Sequence, residues 1–219
     1  VKIDSSTYDN FNIITSYHDD GMIIENISFA NQDLTMNGQG KWVKTENGQA
    51  TFFDGNFNSD NFGKSLNRLG YRDLINKGVL NARMIGQWSD SPEKFTLQNF
   101  DGKILLNLRE GDFLQVTNET KIIGQLLGLF SIASLQKRLS LDFSDFFSSG
   151  LSFDEMTGEF VFNNSKTNVH MLSLKGTFGE MTINGESDIV RETHNHRLTY
   201  VPDLSSMSLI TGTLLGGPI

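Results

Sequence analysis

The sequence contains no cysteine. Disulfides, thiolate nucleophiles and cysteine-ligated zinc are all excluded by that absence. Cations are also in deficit: 18 Lys and Arg stand against 26 Asp and Glu, for a net charge of -8 and a pI near 4.9. Nucleic-acid binding needs clustered Lys and Arg to neutralise phosphates, so this balance argues against it. It argues equally against simple electrostatic adhesion to an anionic lipid surface. Trp (2) and Tyr (4) are scarce beside 17 Phe. No signal peptide is found. The longest mostly apolar segment, Ile122 to Leu135, has only 14 residues and includes Gln125 and Ser131. A membrane span needs about 20 apolar residues, so this segment reads as a docked or interfacial helix.

What is present is mostly strand. At 219 residues the chain can bury a sizeable core, in one large β-type domain or two small ones. Asp19-Asp20-Gly21 marks a turn, with Met22 to Phe29 as its return strand, and Asn47-Gly48 signals a tight hairpin. Leu34–Met36 and Trp42–Val43 read as further strands, and Phe52, Phe53 and Phe57 are bulky for so short a stretch. Leu80, Ala82, Met84 and Trp88 share one face of a strand, opposite Asn81, Arg83 and Gln87. Phe95–Leu97 is expected to continue as strand. Ile104, Leu106 and Leu108 alternate with Leu105, Asn107 and Arg109 in the same manner. Further strands are expected at 158–163, 169–174, 178–183, 187–191 and 197–201. Strand pairs recur roughly every 20 to 25 residues without an exact repeat, which suggests a solenoid-like antiparallel sheet.

Two helical insertions interrupt the strands. Phe62, Leu66 and Leu69 have helical spacing, with Asn61 as cap and Gly70 as terminator, and Leu74-Ile75 is expected to add a turn, giving a helix over 61–75. A central helix is expected over 119–137. Ile122, Leu126 and Phe130 form its apolar stripe, and Lys137 and Arg138 suit the negative end of its dipole.

Signs of chemistry are sparse. His194 and His196 fall on one face of a strand, which would permit a metal pair, but no other histidine pair supports it. We read them as a polar strand end and expect no metal and no cofactor. Asp142, Asp145, Asp154 and Glu155 could serve as paired carboxylates. Their setting beside Phe143, Phe146, Phe147 and Phe153 reads instead as caps and turns. Gly38-x-Gly40 is not followed by a helix and is no phosphate loop. The expectation is a protein that is not an enzyme.

The ordered series of short motifs resembles a known family. The run LLGLFSI-SLQKRLSLDFSDFFSSGLSFDEMTGEF, from Leu126 to Phe160, resembles the C-terminal region of YhdP-like proteins, in the AsmA-like (AsmA/TamB/YhdP) group of Gram-negative envelope proteins. Gly38–Trp42, Phe62–Tyr71, Phe100–Ile104 with Arg109–Phe113, and Leu215–Pro218 extend the likeness over nearly the whole chain. The resemblance implies an elongated, curled antiparallel sheet with an open apolar groove. It implies non-enzymatic movement of phospholipid between inner and outer membranes, supporting the outer-membrane permeability barrier. The alternative within the group is a TamB-like structural or assembly factor, with other envelope proteins as partners.

On this reading the groove candidates are Leu80, Ala82, Met84, Ile104, Leu106, Leu108, Phe160, Phe162, Leu172 and Leu174. The chain opens inside a strand and stops after Gly-Gly-Pro, so 1–219 is expected to be a single β-rich fragment of a longer protein. Strands and the 61–75 helix would fill 1–110, and the central helix and later strands 111–219. The resemblance adds an inner-membrane anchor, a periplasmic location and contact with both membranes through segments outside this chain.

Overall fold

The computed structural model describes residues 2–3, 6–7, 10–46, 48–71, 74–114, 151–191 and 193–203. The expected central helix, with Ile122, Leu126 and Phe130, lies outside them, as do Asp142 and Asp145. After a minimal pair of β1 (Lys2–Ile3) with β2 (Ser6–Thr7), ten strands follow. They are β3 (Asn10–His18), β4 (Gly21–Ala30), β5 (Thr35–Thr45), β6 (Gly48–Ser59), β7 (Ile75–Ser89) and β8 (Phe100–Phe113). After residues 115–150 come β9 (Leu151–Asn163), β10 (Lys166–Gly176), β11 (Gly179–Asp188) and β12 (Thr193–Pro202). They make one sheet in which spatial order equals chain order and every neighbour is antiparallel. The sheet does not close: β3 and β12 are its two edges. The fold is therefore mostly β, an open meander of the curled type.

Local chemistry explains several connections. Asn164 and Ser165 both have positive φ (49° and 61°), the backbone a tight hairpin between β9 and β10 requires. Thr45 pairs with Gly48, so the β5–β6 turn sits one residue earlier than Asn47-Gly48. The side-chain oxygen of Asn31 accepts from the amides of Asp33 and Leu34 (2.9 and 2.8 Å) and shapes the β4–β5 loop. Leu34–Met36 and Trp42–Val43 belong to the single strand β5, apart from Leu34 itself, which precedes it.

The strands expected at 178–183 and 187–191 are the single strand β11, which ends at Asp188, and two further expectations need correction. The helix expected over 61–75 is only α1 (Phe62–Arg68), capped by Asn61, whose side chain accepts from the Lys64 amide (3.1 Å). Gly70, at φ +90°, turns the chain out of the helix, and Ile75 opens β7 opposite Phe113 instead of adding a turn. Phe95–Leu97 is not strand either. Pro92 starts a short 3-10 turn (Pro92–Lys94), and Phe95 folds back edge-on against Trp88 and Phe100, with centroids 5.2 and 5.8 Å away. Its apolar character serves packing, and the proline removes a donor that a strand would need.

Among the described residues no helix is long and apolar enough to cross a membrane.

Candidate functional site

Residues paired directly across an antiparallel ladder share a face, so the registers show which side chains lie together. Leu80, Ala82, Met84 and Trp88 of β7 stand opposite Leu108, Leu106, Ile104 and Phe100 of β8. Leu108, Leu106 and Ile104 in turn face Met156, Gly158 and Phe160 of β9. Phe160, Gly158 and Met156 meet Val169, Leu172 and Leu174 of β10, which meet Gly185, Ile183 and Met181 of β11. In the other direction Ala82 pairs with Phe57, then Met36, Phe29 and Phe11. One row therefore crosses all ten strands: Phe11, Phe29, Met36, Phe57, Ala82, Leu106, Gly158, Leu172, Ile183 and Leu198. At a strand spacing of roughly 4.8 Å, ten strands span about 43 Å.

All ten groove candidates fall on this one face. They are not equally covered. Leu80, Leu108, Phe160, Phe162 and Leu172 are buried, whereas Ala82, Met84, Ile104, Leu106 and Leu174 are only half-buried. Towards β3 the apolar side chains are more open still: Ile13 is 44% exposed and Tyr17 80%.

Two clusters flank the half-buried centre at the strand ends. At one end Trp88, Phe95, Phe100 and Phe162 form an aromatic chain, with the Trp88 indole N–H donating to the Ser91 carbonyl (3.1 Å). Gly86 and Gly102 lie beneath it, and an added Cβ at either would press on the Phe100 ring (2.6 Å). At the other end Leu74, Ile75, Leu80, Leu108 and Phe153 pack with Phe62 and Leu66 of α1. There Ser65 is buried yet satisfied, bonded to the Ser59 hydroxyl (2.9 Å) and donating to the Asp33 carbonyl (3.1 Å).

The reverse face is mixed, with Ile23, Phe52, Ile85 and Leu105 among polar and charged side chains, and is cross-linked. Arg83 donates to both carboxylate oxygens of Asp54 (3.0 and 2.9 Å), and that hydrogen bonding, above all, holds the Asp54 carboxyl below its ordinary range. Lys103 donates to Glu159 (3.0 Å), and Asn107 to Glu155 (3.2 Å). A cavity of about 690 Å³ on this side is lined by Ile23, Lys41, Phe52, Asp54 and Ile85, with the Lys41 ammonium 4.4 Å from the Phe52 ring centroid. It brings no nucleophile and base together. Asp154 is exposed and Glu155 is occupied by Asn107, so the carboxylates in the described part make no acid–base pair.

His194 and His196 do lie on the apolar face, stacked with centroids 5.9 Å apart. Among the described residues no third His, Cys, Asp or Glu joins them as a metal set.

The profile of the YhdP protein family matches residues 1–219. The chain belongs to the YhdP family. A relative from Escherichia coli (strain K12), named intermembrane phospholipid transporter YhdP, is 22% identical over 180 residues, which are 82% of this chain. The chain spans 14% of the length of that YhdP protein. No solved structure matches the present chain. Within the YhdP family assignment, sequence reasoning missed several residues on the face, among them Phe11, Ile24, Ile27, Phe29, Phe53, Met156 and Ile183. Phe52, Phe53 and Phe57 were visible as bulky side chains, but only Phe53 and Phe57 lie on this face, Phe52 pointing to the reverse side. In β4 a register shift between Ile24 and Ile27 puts residues three apart on one face and hides the alternation.

Proposed function

We propose that this chain is part of a non-enzymatic phospholipid carrier acting between the inner and outer membranes of a Gram-negative cell, in the periplasm. Its acyl-chain path is the apolar face, with Ala82, Met84, Ile104 and Leu106 at the centre. The observation that carries the reading is the apolar row across ten strands of an unclosed sheet, half-open in the middle and plugged at both strand ends.

The energetics favour such a surface. Each methylene left in water costs roughly 0.8 kcal/mol, so two bare acyl chains cost on the order of 20 kcal/mol. A carrier must cover most of that length, and an apolar band wider than an extended chain is long does so. Movement along it needs no covalent step.

The test is photo-crosslinking from positions 84 and 106 in the intact protein, together with thermal melting of Leu106→Asp and Met84→Asp. Lipid adducts from both positions, with variants that still fold, are expected, because water can reach the carboxylate once lipid leaves. Unfolded variants with no lipid adduct from either position would leave an ordinary closed core.

A further inference from the structure

Near the β12 edge the apolar face carries an assembled polar cluster. Thr167 of β10 pairs with Ser187 of β11, and Ser187 with His194 of β12. One row on, Gly185 pairs with His196. The Ser187 hydroxyl lies 2.9 Å from His194 Nδ1 and 3.2 Å from His196 Nε2. Thr167 and Ser187 are 0% and 2% exposed. Gly185 makes the arrangement fit: its φ is +141°, and an added Cβ would come within 2.8 Å of the His196 ring.

Two features of this cluster are unexplained by folding. The Thr167 hydroxyl is buried without any hydrogen-bond partner, which is costly and uncommon. Its neighbours on the row, Phe162 and Ser187, leave it at the junction of oily and polar surface. The second feature follows from proton counting. Ser187 has one hydrogen to donate, so only one of the two neutral imidazoles can accept it and the other must donate its own N–H. The accepting ring then carries its N–H on the nitrogen turned away from Ser187. His194 Nε2 makes no hydrogen bond among the described residues. The nearby carboxylate of Asp188 is engaged, accepting from the Arg191 amide (2.9 Å) and facing its guanidinium (3.5 Å).

From this juxtaposition we propose that Thr167, Ser187, His194 and His196 form a phosphate subsite. It would take the phosphodiester of an amphiphile whose acyl chains lie on the adjoining row of Leu172, Ile183 and Leu198. The proposal rests on the reading of the apolar face as an acyl path and adds where the polar group goes. A phosphate cannot be carried on hydrocarbon alone, because its unmet hydrogen bonds would oppose transfer from the membrane. The cluster offers hydroxyl and imidazole donors where the apolar face would otherwise leave the phosphate with none.

The experiment measures binding to the intact protein of three probes: dioleoylphosphatidylglycerol, dioleoylglycerol and inorganic phosphate. The variants are Thr167→Val, Ser187→Ala and His194→Gln. Loss of a charge-assisted hydrogen bond, in Ser187→Ala through loss of the hydroxyl that orients the two imidazoles, should weaken phosphatidylglycerol binding roughly tenfold, with dioleoylglycerol binding unchanged. Thr167→Val is the decisive variant. It keeps the shape and removes only the unpartnered hydroxyl, so it should fold at least as well as the parent while losing phospholipid preference.

Competition by inorganic phosphate that the variants abolish would identify free phosphate as the source of the same chemistry. An unchanged ratio of phosphatidylglycerol to dioleoylglycerol binding in all three variants overturns the subsite and leaves the acyl path standing. A parent protein that takes up neither lipid overturns both.

Discussion

The centre of the apolar face and its two strand-end clusters are built from the same alternating pattern, yet they reach different degrees of burial. Leu108 and Phe100 are fully buried, while Leu106, two residues from Leu108 on the same strand and face, is half-open. The difference lies in what stands over each position. α1 closes one end, and the 91–99 loop with Phe95 closes the other. Apolar alternation thus specifies a face, and connections between strands decide which part of that face becomes core.

The largest expected effect comes from breaking a closed end. Phe100→Ala should cost about 3–5 kcal/mol, because the ring is fully buried and contacts Phe95 and Phe162. Equilibrium urea unfolding measures it. Leu106→Ala, at the open centre, should cost clearly less than Phe100→Ala and less than the ~2–5 kcal/mol typical of a buried leucine. Equal costs at Phe100 and Leu106 would erase the distinction between end and centre.

A smaller effect is expected where glycine permits close approach. In Gly86→Ala the new methyl would meet the Asp101 carbonyl, the Phe100 ring at 2.6 Å and the Gly102 Cα at 2.7 Å. Two of these are backbone and cannot swing away, so the ladder must shift, at about 1–3 kcal/mol. Because the strain falls at the aromatic end, lipid crosslinking from position 106 should persist in a folded Gly86→Ala protein.

The centre and one flank were legible in the sequence, the remainder much less so. β7 and β8 alternate from Leu80 to Trp88 and from Phe100 to Leu108, broken only at Ile85-Gly86 and at Gly102 and Leu105, so their shared face still follows from period two. β5 places Gly38 and Gly40 on the apolar face, where they give no hydrophobic signal, and β4 carries a register shift. Phe95 read as strand because local alternation cannot reveal a side chain folding back onto Trp88. The histidine pair was visible as a same-face pair. Its partners Ser187 and Thr167 were not, since pairing with Ser187 depends on strand register and not on spacing.

A subtler effect concerns pH. Burial, and then the neighbouring His194, lower the His196 pKa below its ordinary value. The unfolded chain therefore takes up the proton first as pH falls. The stability contributed by neutral His196 is complete above an unfolded value of about 6.5 and is lost as pH drops through that value to the folded one. Thermal melting between about pH 7 and pH 5 should fall less steeply in His196→Gln than in the parent. An identical slope would mean that His196 takes up its proton equally well in the folded and unfolded chains.

The smallest effect is expected on the reverse face. Arg83 and Asp54 make a two-pronged pair with good geometry, but Arg83 is exposed, and exposed pairs gain little against solvent and salt. Arg83→Gln should leave the melting temperature near that of the parent, most closely at high ionic strength, where the pair is screened already. It should also leave lipid crosslinking from position 106 unchanged, although Asn56, the register partner of Arg83, lies between Phe57 and Gly55 of the apolar face. Adjacent residues of a strand point to opposite sides, so a polar change on one side has no direct contact with cargo on the other. Loss of crosslinking in a folded Arg83→Gln protein would show that the curvature of the sheet, and with it the open centre, depends on the charge pairs across its back.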